Sequence, residues 1–157
     1  MIVTVSLQEN MVFIGKSASG IPVQMDSGES SGGTNSGVRP MEMIALGLAG
    51  CTAMDVLSIL RKKRQDVTMF EVKVNAPRSS EFPKVFTSAV ITYIVTGKDI
   101  EETAVLRAME LSANKYCPAQ IMLGQVFPID LHYEIYEEEE NGQRLTHQGI
   151  WQEMTLK

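Results

Sequence analysis

Cysteine and histidine are scarce in this 157-residue chain, with two of each. There is no Cys-x-x-Cys and no short His-x-His spacing, so Cys51, Cys117, His132 and His147 make a zinc set only by arithmetic. No G-x-S-x-G elbow is present, and two histidines leave little from which to build a hydrolase triad. The glycine-rich GESSGGTNSG at residues 28–37 lacks the lysine and the strand-to-helix setting of a phosphate loop. Basic charge is also short: 14 Lys and Arg against 19 Asp and Glu give a net charge of −5, with no field to recruit nucleic acid or an anionic membrane. The opening MIVTVSLQEN has no basic region leading into an apolar run, so no secretory signal is expected. Residues 43–54 are uncharged, but Asp55 and Arg61–Arg64 close the run. It reads as too short, and too rich in glycine and alanine, for the roughly 20 apolar residues of a membrane span. A cytoplasmic protein is the expectation, with reduced cysteines whose disulfide, if any, is transient.

What is there suits one α+β domain over residues 1–157: 44% hydrophobic and 21% charged residues, with no internal repeat. Strand-like runs fall at residues 2–7, 11–15 and 21–25, followed by a loop of turn formers over residues 26–40. Such a loop is either a mobile linker or shaped around a site. A long helix starts near Pro40 and ends in RKKR, where basic side chains suit the helix dipole. Alternation predicts strands over 67–76, 86–95 and 126–136, and Asn141-Gly142 a hairpin into a last strand. Asp99-Ile-Glu-Glu102 reads as a capping box opening a second helix through about Asn114.

The long helix carries Cys51 among Gly47, Ala49, Gly50 and Ala53. Each glycine costs about 1 kcal/mol of helix propensity relative to alanine, which is easiest to explain if another backbone or a substrate comes close. A free cysteine serving as a small core residue is the alternative. Cys117 directly precedes Pro118, a good first helical residue, which makes Cys117 a candidate N-cap. A thiol there is expected to have a lowered pKa, with Lys115 adding to the effect. An ordinary Cys-Pro turn remains open.

Together, PMEMIALGLAGCTAMDVLSIL and LSANKYCPAQIML resemble the OsmC/Ohr family of thiol peroxidases, along essentially the whole chain. The resemblance implies an α+β fold in which antiparallel sheets wrap long central helices in an intertwined homodimer. It implies Cys51 as the peroxidatic nucleophile and Cys117 as the resolving thiol. The implied substrate is an organic hydroperoxide and the implied reductant a dithiol, of lipoyl type in this family. No metal or organic cofactor, nucleic acid or membrane is implied. Two departures stand out. The glutamate of the helix start is Glu42, one place later than in the family and so ~100° around the helix. No arginine precedes Arg39. Arg39 and Glu42 are therefore the candidates to replace the family's activating pair, or else they are charges at a helix start. These departures also motivate a second expectation, a dimer that binds an apolar or thiol-reactive ligand, or carries a thiol equivalent, without turnover. Asp55, one turn after Cys51, is expected to bond a polar partner across the subunit interface rather than face the thiol.

Overall fold

A computed structural model describes residues 1–151; the tail beyond Trp151, ambiguous from sequence, lies outside the described residues. The chain forms two compact units, Met1–Ala45 and Leu46–Lys157, with the boundary inside the long helix.

The first unit holds a three-stranded antiparallel sheet of β1 (Thr4–Glu9), β2 (Val12–Lys16) and β3 (Val23–Met25), in that order. Asn10 takes the left-handed conformation (φ 47°) that closes the first hairpin. The glycine-rich loop is shaped around a carboxylate. Asp26 accepts from the backbone N–H groups of Ser27 (2.6 Å), Thr34 (2.9 Å) and Ser36 (3.0 Å), and from the Thr34 (2.9 Å) and Ser36 (3.1 Å) hydroxyls. Gly33 is required there, since a Cβ would lie 2.0 Å from the Ser27 carbonyl oxygen.

These hydrogen bonds, led by the Ser36 N–H, hold Asp26 well below the usual carboxylate range against the opposing effect of burial. A depressed pKa contributes stability that is complete above the ordinary carboxylate range and lost as pH falls through the lowered value. Protection of the Thr34 and Ser36 amides, taken relative to intrinsic exchange at each pH, is therefore expected to persist well into the acid range and then fall. In Asp26→Asn that pH dependence should vanish; an unchanged profile would count against the carboxylate as organiser.

In the second unit β4 (Asp66–Asn75), β5 (Ala89–Lys98), β6 (Ile129–Glu139) and β7 (Gly142–Trp151) form one sheet in sequence order. The expected wholly antiparallel pairing is corrected at one place: β5 and β6 run parallel, Ala89 opposite Ile129 through Gly97 opposite Glu137. A parallel pair needs a long crossover, and residues 99–128 supply it with α2 (Glu102–Leu111), a π-helical turn (Ser112–Tyr116) and α3 (Pro118–Gly124). The expected capping box is also corrected. The N-cap of α2 is Glu101, without a side-chain cap, while the Asp99 N–H donates to Glu137.

The long helix, α1, spans Pro40–Lys62. Leu48, Thr52, Val56 and Leu60 recur every fourth residue and form its buried stripe. Their apolar members pack with Ile91, Tyr93 and Val95 of β5 and with Val105, Ala108 and Met109 of α2. The rest of the helix is apolar but uncovered. Only 22% of its most apolar 18-residue window is buried, and by length and composition alone it is long enough to cross a bilayer. The sequence argument that the run is too short for a span therefore fails on length. Its exposed face includes Leu46 (56% exposed) and Met54 (76%). A Cβ at Gly47 or Gly50 would meet no described atom within 4 Å.

Candidate active site

Cys51 lies half-buried near the middle of α1, and Cys117 is fully buried before α3. Although 66 residues separate them in the chain, they meet. The two sulfurs and a carboxylate oxygen of Asp55 lie within 4.8 Å of one another. Closing the sulfurs to the ~2.05 Å of a disulfide takes a movement of less than about 3 Å.

Asp55 thus faces the thiols, contrary to the expectation from sequence. Four residues carry the chain about once around the helix, which returns Asp55 to the Cys51 face. Ser112 of the same chain lies close enough to favour the charged form of its carboxyl. Burial raises the Asp55 pKa, with the Ser112 hydrogen bond opposing. Ser112 also bonds Thr52 (2.9 Å), and Thr52 bonds the Tyr93 hydroxyl (2.6 Å). Thr52, Ser112 and Tyr93 are all completely buried, and burial raises the Tyr93 pKa. This chain of hydroxyls ties α1 to β5 and to the π-helical turn.

Cys117 is the N-cap of α3, as its place before Pro118 predicts, and its sulfur accepts the Gln120 N–H at 3.4 Å. The predicted lowering of its pKa is overturned. Burial pushes the Cys117 thiol up to about 12, outweighing the Gln120 hydrogen bond, and the neighbouring Cys51 and Asp55 push the same way. A seven-residue helix offers too little dipole to offset complete desolvation. Lys115 does not help, because its ammonium lies 5.3 Å from the Tyr116 ring centre. The raised pKa favours the folded chain fully below the ordinary thiol range, and the advantage is lost as pH climbs toward about 12.

A direct consequence is selective alkylation. Iodoacetamide at neutral pH is expected to modify Cys51 in the folded protein while Cys117 stays unmodified, as read by peptide mass spectrometry. Preferential labelling of Cys117 would contradict the burial that separates the two thiols.

Arg39 and Glu42 belong to the first unit, and their partners there are plain. The Arg39 guanidinium donates to the carbonyls of Asp26 (3.3 Å) and Gly37 (2.9 Å) and to the Asn35 side chain. Glu42, the third residue of α1, accepts the Arg39 backbone N–H at 2.9 Å, one half of a capping box. Both help seat the glycine-rich loop and the start of the helix.

Cys51, Asp55 and Cys117 are compact enough to meet a single cation. Neither His132 nor His147 belongs to the cluster. Sequence reasoning missed Thr52 and Ser112, which sit inside the two motifs without a chemical signal of their own, and Tyr93, which lies outside them. Only the i, i+4 spacing of Cys51 and Asp55 was a usable signal.

The OsmC family model, described as OsmC-like protein, matches residues 33–132. Protein YhfA of Escherichia coli (strain K12) is 44% identical over 130 residues, covering 81% of this chain and 92% of YhfA. Among solved structures, an OsmC-like protein from Mycoplasma pneumoniae superposes with a TM-score of 0.71 at 16% identity, covering 88% of this chain and 96% of that one. An organic hydroperoxide resistance protein OsmC from Legionella pneumophila superposes with a TM-score of 0.57 at 14% identity, covering 85% of this chain and 94% of that one. At such identities the two structures speak for the fold alone.

Proposed function

The chain belongs to the OsmC-like protein family, and on that footing we propose that it is a cytoplasmic, homodimeric thiol peroxidase that reduces organic hydroperoxides to alcohols. The observation that carries this reading is the meeting of the two sulfurs beside Asp55, within 4.8 Å. The substrate class is the organic hydroperoxide that the family resemblance implies.

The Cys51 thiolate attacks the terminal peroxide oxygen. The O–O bond breaks, Cys51 becomes a sulfenic acid, and the leaving alkoxide takes a proton to become the alcohol. Cys117 then attacks the sulfenic sulfur. The S–S bond forms and the hydroxyl leaves as water, with the Asp55 carboxyl placed to take the Cys117 proton and deliver it to that hydroxyl. A dithiol reduces the disulfide by exchange and is itself oxidised to a disulfide. No step calls for a metal or an organic cofactor.

The homodimer is supported by the uncovered face of α1 around Leu46 and Met54, and by the open space at Gly47 and Gly50. A second copy packed on that face would bury apolar surface, at ~25 cal/mol per Å², and would give the two glycines a function.

A second reading is favoured by one observation. The Arg39 guanidinium is already engaged by Asp26, Gly37 and Asn35, so it is committed to its own loop rather than free to activate a thiol. In that reading the dimer binds an apolar or thiol-reactive ligand without turnover. Incubation with cumene hydroperoxide and dihydrolipoamide separates the two. Dithiol-dependent loss of peroxide, with a Cys51–Cys117 disulfide in the unreduced protein, is the expected result. A lack of peroxide loss together with a ligand retained from lipid extract would establish the second reading instead.

A further inference from the structure

The sulfurs of Cys51 and Cys117 and a carboxylate oxygen of Asp55 lie within 4.8 Å of one another. A redox pair needs only the two sulfurs to meet, and here a carboxylate adds a third donor beside them. Around a tetrahedral zinc ion, with Zn–S about 2.3 Å and Zn–O about 2.0–2.2 Å, donor atoms stand about 3.5–3.8 Å apart. The cluster therefore closes on such an ion with shifts of at most about 1 Å, a smaller movement than disulfide closure needs.

The donors are also held from outside. Cys51 and Asp55 stand one turn apart on α1, and Cys117 is the N-cap of α3. The Gln120 backbone N–H donates to the Cys117 sulfur at 3.4 Å, and Ser112 lies close to the Asp55 carboxyl. Such outer contacts orient the ligands of a metal site. The ion pairs among the described residues are Lys73–Glu71, Arg107–Glu110 and Arg144–Glu139, and none of them neutralises Asp55. The donor set also selects the ion: magnesium and calcium prefer all-oxygen shells, whereas two thiolates suit zinc and its softer relatives. Three protein donors leave the fourth tetrahedral position to water, the make-up of an open zinc site.

We propose that Cys51, Asp55 and Cys117 form a binding site for one thiophilic divalent cation of the zinc class, which holds the reduced protein in a masked state. On binding, the cation takes the place of the two thiol protons, which pass to solvent, while Asp55 binds as the carboxylate. Both sulfurs are then occupied, and Cys51 is no longer a free nucleophile. Conversely, a Cys51–Cys117 disulfide leaves no thiolate for the metal. Metal binding and oxidation thus exclude each other. The masking of peroxide reduction rests on the peroxidase reading; the binding of the metal does not.

Cobalt(II) is the probe, because four-coordinate cobalt with thiolate ligands shows d–d bands and near-ultraviolet charge-transfer absorption that zinc lacks. Titration of the reduced full-length protein is expected to bind one cobalt per chain with both signatures, and Zn²⁺ should displace it and bleach them. Alkylation of Cys51 with iodoacetamide should abolish the tetrahedral spectrum. Asp55→Asn keeps the size and removes the charge, and should weaken binding at least about tenfold while the charge-transfer band stays. Bound zinc should also block single-turnover reduction of cumene hydroperoxide, which needs no added dithiol, and EDTA should restore it. Octahedral cobalt spectra without charge transfer, one metal shared by two chains, or equal affinity in a folded Asp55→Asn each overturns the site. Peroxide reduction undiminished by bound zinc overturns the masking. A protein that reduces no peroxide still answers to the cobalt spectra, so failure of the peroxidase reading and failure of the metal site are told apart.

Discussion

Cys51→Ser is expected to lower steady-state reduction of cumene hydroperoxide by at least about a thousandfold, because a hydroxyl at neutral pH supplies almost no anionic nucleophile. The sulfenic acid formed by oxygen transfer also has no serine counterpart of similar stability. The substitution is small, and the position is half-buried on a long helix whose packed stripe is Leu48, Thr52, Val56 and Leu60. Thermal stability should therefore stay close to wild type, and unchanged melting would assign the loss to chemistry. Wild-type turnover in this variant would end the proposed mechanism, whatever else the cluster does.

Cys117→Ser should separate the two halves of the cycle. The first peroxide is still reduced, one equivalent per Cys51, but the sulfenic acid then has no thiol within reach. Stopped-flow measurement should show a burst of normal size followed by a steady rate at least about tenfold lower. The oxidised Cys51 should be captured by dimedone. Serine at this position can still accept the Gln120 N–H that the sulfur now accepts. A stability change of only about 1 kcal/mol is expected, in line with one altered hydrogen bond. A variant that kept both the burst and the wild-type steady rate would remove Cys117 from the reaction.

The two substitutions act on thiols that the fold treats differently. Cys51 is half-exposed on α1, whereas Cys117 is sealed behind its cap and pushed up to about 12. In such a pair the accessible thiol is suited to meet peroxide, and the buried one to wait as a protonated partner until a sulfenic acid forms beside it. The buried hydroxyls of Thr52, Ser112 and Tyr93 tie α1, the π-helical turn and β5 together.

Much of this arrangement is legible in the order of the amino acids. Pro40 and the basic run at residues 61–64 bracket α1 because first-turn proline and last-turn cations are local preferences. The alternation that predicts β4 and β5 is local too, as is the cap that Cys117 makes before Pro118. Local rules fail where long-range packing decides the outcome. The parallel pairing of β5 with β6 depends on where a crossover of about thirty residues returns, which alternation within either strand does not encode. The Cys117 pKa goes up rather than down because desolvation is set by everything packed around the sulfur, while the helix-end argument considers only the next few residues.

The amino-acid order is enough to specify the helix that carries Cys51, the proline that makes Cys117 a cap, and the family to which both motifs point. It took the folded chain to establish that Asp55 shares the sulfurs' space, that Arg39 is held by its own loop, and that the Cys117 sulfur is sealed from solvent. Backbone preference acts over a few neighbouring residues, whereas solvent exclusion, hydrogen-bond partners and void space are properties of chain segments that meet only after folding.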